Sequence, residues 1–152
     1  MEPNPQLFDF IKPYDQHIQG LALDVRQFIT ELVPQANELI WDNYNAVAIA
    51  YSKSEKLKDA FCNIALYGKH INFGFNQGTS LSIVNVPLEG KGKHIRHLQV
   101  KNFETFPAEA ITPMILEAVE ICDRHNPALL EKKTQPKSLV MSISEKKVRP
   151  KG

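Results

Sequence analysis

Cysteine is scarce in this chain and poorly spaced for chemistry: Cys62 and Cys122 stand far apart, with no Cys-x-x-Cys pair. That spacing excludes a zinc ribbon or a thioredoxin-like redox motif. The apolar neighbours of each cysteine point instead to two buried free thiols. No apolar run approaches the roughly 18 residues that cross a bilayer. The opening Met-Glu-Pro-Asn-Pro has neither the basic start nor the apolar stretch of a secretory signal. These absences give the expectation of a cytoplasmic protein without membrane contact. Catalytic fingerprints are missing as well: there is no Gly-x-Ser-x-Gly elbow, His-Glu-x-x-His or dinucleotide-binding glycine pattern. Neither cysteine has the electropositive surroundings that activate a thiol. The inventory leans against an enzyme.

What is present suits one globular domain of 152 residues, with 43% hydrophobic and 23% charged residues. The net charge of +1 hides an asymmetry. Residues 131–152 carry seven cations against Glu131 and Glu145, or +5, which leaves −4 on residues 1–130. A nucleic-acid-binding domain carries its positive charge on the folded surface. Here the charge sits on the end of the chain, so no nucleic acid is expected on the folded body.

The first helix is predicted from Pro13 to Leu32, with Tyr14, Ile18, Leu21, Val25, Phe28, Ile29 and Leu32 forming one apolar stripe. Pro13 and Asp15 suit its start, and Val33-Pro34 its stop. Strand-like segments follow at Glu38–Asp42, Ala46–Tyr51, Ala60–Tyr67, His70–Phe75 and about Ile95–Lys101. Gly68-Lys69 reads as a type II′ hairpin turn, and the short connections imply antiparallel neighbours. A closing helix is predicted from near Thr112-Pro113 to His125-Asn126. The order implies an α+β fold. It would be a two-layer sandwich, an antiparallel sheet of about five strands with the N- and C-terminal helices packed on one face. Residues 1–130 would be the domain and residues 131–152 a basic C-terminal tail, dispensable for folding, whose Leu139–Ile143 stretch is apolar enough to dock at a sheet edge.

Two blocks stand out. The first is Lys-His-Ile-Asn-Phe-Gly-Phe-Asn-Gln-Gly-Thr-Ser-Leu, residues 69–81; the second is Pro-Leu-Glu-Gly-Lys-Gly-Lys-His-Ile-Arg-His-Leu-Gln-Val, residues 87–100. They resemble the signature blocks of the YdhG-like family of small bacterial α+β domains, and the resemblance covers roughly residues 12–125. The chain departs from the family pattern at Gly90-Lys91-Gly92-Lys93 and after Trp41, where Asp42-Asn43-Tyr44-Asn45 stands. The resemblance implies a helix–sheet–helix fold, frataxin-like in outline, and no catalytic mechanism.

Alternation sends Ile71, Phe73 and Phe75 to the helices and His70 and Asn72 to the open face. If Leu98 and Val100 also face the helices, His97 joins the open face. His70, Asn72 and His97 would then centre a ligand site, two imidazoles and an amide within mutual reach. Such histidine pairs are more often surface or hydrogen-bonded structural residues than ligand-binding ones. Lys91 and Lys93 flank a glycine turn that could hold an anion or be a plain exposed turn. Arg96 falls on the covered face by strict alternation. Either the strand begins near it, or a bulge re-aims it, or it enters an internal salt bridge. Trp41 and Tyr44 could line a pocket or pack at an edge. Glu117, Glu120 and Asp123 could chelate a hard cation or form a solvated helix face.

The expected function is therefore a non-enzymatic cytoplasmic binding protein. It would use the open sheet face and the Gly90–Lys93 turn for a small ligand or a protein partner. The alternative is a frataxin-like iron-binding protein, in which iron would be the bound metal. Asp15, Asp24 and Glu31 are too irregularly spaced to share one helix face, which weakens it. A further reading is an enzyme with His70 and His97 as acid and base.

Overall fold

Asn4 and Asp15 each start a helix. In the computed structural model, which describes residues 1–131 and 135–150, Asn4 accepts from the N–H of Gln6 at 3.0 Å and opens α1 (Pro5–Ile11). Its buried Leu7, Phe10 and Ile11 were not foreseen as helical. Asp15 accepts from the N–H of Ile18 at 2.8 Å and opens α2 (Gln16–Leu32), satisfying one of the donors that a helix start leaves unpaired.

The strands follow in chain order: β1 (Asn37–Asp42), β2 (Val47–Ser52), β3 (Ala60–Leu66), β4 (Ile71–Phe75) and β5 (Arg96–Val100). After α3 (Ala108–His125) comes β6 (Ser138–Ile143). The sheet runs β5-β4-β3-β2-β1-β6, and β6 lies parallel to β1 while the other pairs are antiparallel. The α+β class is as expected; the sheet has six strands rather than about five and is mixed rather than antiparallel. The extra strand comes from the segment expected to be a tail, so the sheet takes in chain beyond residue 130.

Partners for that segment explain the difference. Lys137 donates its N–H to Asn37 Oδ1 at 2.9 Å, and Glu38 donates its N–H to the Lys137 carbonyl at 2.8 Å. Two of the basic residues beyond β6, Lys147 and Arg149, bind the buried carboxylate of Asp42. The tail's charge marked an interaction with the body, not independence from it. Lys132, Lys133 and Lys151 of that basic segment lie outside the described residues.

One face of the sheet carries the core. Ile40, Ile49, Tyr51, Ile64, Ile71 and Phe73 pack with Ile18, Val25 and Ile29 of α2 and with Ile111, Met114 and Ile115 of α3 in a single apolar cluster. Burying each such side chain contributes about 1.5–3 kcal/mol. Arg26 of α2 lies within this layer, 3% exposed, and donates to Glu38 at 2.7 Å. Tyr51 and Ser138 complete the shell of Glu38 at 2.9 and 2.7 Å. Helix α3 starts four residues before Thr112, so Pro113 lies inside it. The carbonyl that Pro113 cannot serve belongs to Glu109, which is exposed to water. The β3–β4 connection is a tight hairpin, closed by Tyr67 N–H to the His70 carbonyl at 3.0 Å. Gly68 is not at positive φ, so the turn is not type II′. Among the described residues, no helix is long and apolar enough to cross a membrane.

Candidate functional site

The strand registers lay the open face out in rows. One row runs His97, Gly74, Asn63, Ala50, Leu39, Leu139 across all six strands. The next runs Gln99, Asn72, Ala65, Ala48, Trp41. Small residues dominate the middle of both rows, and larger ones stand at the sides. The outcome is a trough of about 280 Å³ floored by Ala48 and Ala50 and walled by Trp41, Asn63, Leu57 and Ile95, with Asn43 and Asn76 at its rim. Leu57 and Ile95 come from loops outside the sheet and are 52% and 51% exposed, a high figure for side chains of that size. No lining residue is ionisable.

Asn63 and Asn76 are hydrogen-bonded to each other, Nδ2 to Oδ1 at 3.0 Å. An amide has both a donor and an acceptor end. Asn63 donates in this bond, which leaves its side-chain carbonyl oxygen and the Nδ2 of Asn76 as the acceptor and donor ends of the pair. The neighbouring Asn72 is half-buried, and its Oδ1 has no hydrogen-bond partner among the described residues. A buried acceptor without a partner is uncommon and marks a place where water or a ligand completes the shell.

The residues singled out from the sequence are placed unequally. Asn72 and His97 lie on the open face of adjacent strands, Asn72 opposite Gln99 and His97 opposite Gly74. His70 stacks on Tyr67, ring centroids 5.2 Å apart, at the hairpin end. It stands four residues along the strand from Gly74, the neighbour of His97, which separates the two imidazole positions by roughly 13 Å. The two rings therefore do not share one ion, contrary to the expected mutual reach. His97 lies instead 3.9 Å from the exposed carboxylate of Glu89, whose backbone forms a two-bond bridge with that of His97.

Lys91 and Lys93 are exposed on the turn before β5. Gly90 in that turn has φ +138°, a conformation that requires glycine. Arg96 begins β5, as one of the sequence alternatives had it, and enters no salt bridge among the described residues. Its Nη1 donates to the carbonyls of Gly92 and Ile95, both at 2.7 Å. Two carbonyls of the turn thus point at a guanidinium held within the turn itself. Arg96 shapes the loop that presents Ile95 to the trough.

Trp41 lines the trough, whereas Tyr44 lies in the β1–β2 turn, where its carbonyl accepts from Val148 and Arg149. The α3 carboxylates do not converge. Glu117 binds the backbone N–H groups of Ser82 and Ile83, and Asp123 pairs with Lys53 at 2.7 Å. Among the described residues, no group of three His, Cys, Asp or Glu side chains is placed to hold a metal ion. Sequence reasoning did not name Ala48, Ala50, Leu57, Asn63, Asn76 or Ile95. A signal existed in β2, where Val-Ala-Ile-Ala-Tyr alternates large and small residues and so marks one face as low. Comparison with family models, curated proteins and solved structures found no match to this chain.

Proposed function

We propose that this chain is a non-enzymatic binding protein for a small molecule, with the open-face trough as its site. One observation carries the reading: an apolar, uncharged trough with an aromatic wall and paired amides lies on the sheet face that the helices leave uncovered. Binding sites combine apolar lining with a few placed polar groups, commonly in roughly 300–1,000 Å³. At about 280 Å³ this one falls just below that range and suits a ligand of one ring or a similar fragment. The Gly90–Lys93 turn contributes through Ile95, which it delivers to the wall. A lining without an acid, base or nucleophile favours binding over catalysis. Iron handling in the frataxin manner would need converging carboxylates or imidazoles, and His70 and His97 stand too far apart to begin such a set.

Kinship with the YdhG-like family belongs to the same proposal. Its support is that the two signature blocks form β4 and β5 with the turn before it, and these strands pair with each other beside the trough. A cytoplasmic setting is supported by two free thiols. The test is a fluorescence titration, because Trp41 is the chain's one tryptophan. Neutral aromatic fragments should shift its emission, and Ala48→Leu, which fills the floor, should abolish the shift. An emission that no fragment changes in the wild-type protein would remove the trough from consideration.

A further inference from the structure

The lining narrows the ligand further, and this step rests on the trough being the site. We infer that the trough takes a flat, uncharged ring bearing an amide-like edge, one donor beside one acceptor. Three features point there. Ala48 and Ala50 are the lowest side chains on this stretch of sheet, and Trp41 stands beside them. That leaves a slot against an indole, which a planar ring fills with stacking contact and a puckered ring does not.

The second feature is the amide pair. Asn63 and Asn76 spend one end of each amide on their mutual bond. Asn63 donates, so the pair keeps the Asn63 side-chain carbonyl as an acceptor and the Asn76 Nδ2 as a donor. A carboxamide or lactam edge presents the complementary donor and acceptor and satisfies both at once. A ligand with only acceptors or only donors would leave one amide end desolvated and unpaired, which is costly.

The third feature is charge. Every side chain lining the trough is neutral, so an ionised group brought into it would lose water without gaining a partner. Lys91 and Lys93 are exposed on the turn outside. They could meet an anionic substituent only beyond the ring.

Three matched probes separate these requirements: benzamide, benzoate and cyclohexanecarboxamide, with 1-hexanol as an apolar control. Each is titrated into the full chain while Trp41 emission and the side-chain amide NMR signals of Asn63 and Asn76 are followed. Benzamide is expected to bind at least tenfold more tightly than the other three and to move both amide signals. Asn76→Ala, which sits outside the strands, should weaken benzamide five- to tenfold. If benzoate, cyclohexanecarboxamide or hexanol binds as tightly as benzamide, the ligand class is overturned while the trough remains the site. If no probe alters Trp41 or either amide, the ligand class and the site fall together. Should Asn76→Ala fail to fold, the comparison among probes on the wild-type protein still decides.

Discussion

The side chain of Asn63 lies across Gly74 so closely that a Cβ built on Gly74 would stand 2.8 Å from Asn63 Oδ1 and 2.9 Å from its Nδ2. Real Cβ atoms do not approach so near. Gly74 is therefore the recess that lets Asn63 lie flat over β4 and reach Asn76. The strand's one missing side chain sets the position of the trough's polar wall.

Gly74→Ala should push the Asn63 amide out of its recess and break the bond to Asn76. Overpacking of this kind costs about 1–3 kcal/mol. Urea unfolding should register that loss, and the NMR signals of the two side-chain amides should shift. An alanine variant with unchanged stability and unchanged amide signals would show that the recess is not needed.

Removing residues 137–152 should destabilise the protein strongly. The cut takes away β6, deprives buried Glu38 of the Ser138 hydroxyl, and strips Asp42 of Lys147 and Arg149. Asp42 is 1% exposed only with this segment in place, so the cut opens β1 to water as it removes both of its cations. Arg149→Met alone should cost less, because Lys147 still faces Asp42. Equal urea midpoints for the truncated and full chains would show the segment to be an appendage after all.

The elements that sequence reasoning found share a physical trait: their evidence is local. The stripe of α2, the alternation Ile71-Phe73-Phe75 and the cap Asp15 can each be read within a few residues. What escaped depended on partners distant in the chain. Arg26 counts as a surface residue on a helical wheel, yet it is buried because Glu38 and the carbonyls of Met1 and Glu2 receive its guanidinium. Lys147 and Arg149 counted as tail charge until Asp42, about a hundred positions earlier, gave them a reason to dock. The site followed the same rule. Asn72 and His97 were placed on the correct face by alternation, but the trough depends on which strands are neighbours. That order brings Ala48 and Ala50 of β2 beside Asn63 of β3. It also separates His70 from His97, which no count along the chain could show.

Acid should weaken the anchoring of the 81–88 loop to α3. The Ser82 hydroxyl, then the N–H groups of Ile83 and Ser82, hold the Glu117 carboxyl below its ordinary value of 4.5. A group with a lowered folded pKa binds fewer protons in the native state. Its stabilising contribution is complete above the unfolded value and disappears as the pH falls through the folded one. Glu117→Gln should therefore be less stable than the wild type at pH 7, with a smaller gap at pH 3, which lies below the ordinary value of 4.5. Paired urea titrations at the two pH values measure this. A gap that stays constant would mean that the hydrogen bonds to Ser82 and Ile83 do not distinguish charged from neutral Glu117.

The two cysteines should resist alkylation in the folded protein, and one neighbour should tune one of them. Both are free and buried, Cys62 fully and Cys122 at 5% exposure. Burial pushes Cys62 well above the usual thiol range. Burial, with the carboxylates of Asp59 and Asp123 nearby, pushes Cys122 up to about 11, against a smaller opposing pull from Lys53. At pH 8 only about one Cys122 in a thousand is then thiolate, the reactive form. Asp123→Asn removes one raising charge and frees Lys53 from its ion pair, and both changes lower the Cys122 pKa. Iodoacetamide labelling, resolved by peptide mass spectrometry, should accelerate at Cys122 and stay unchanged at Cys62. Equal acceleration at both sites would mean that the substitution opens the whole fold and that local charge does not govern Cys122.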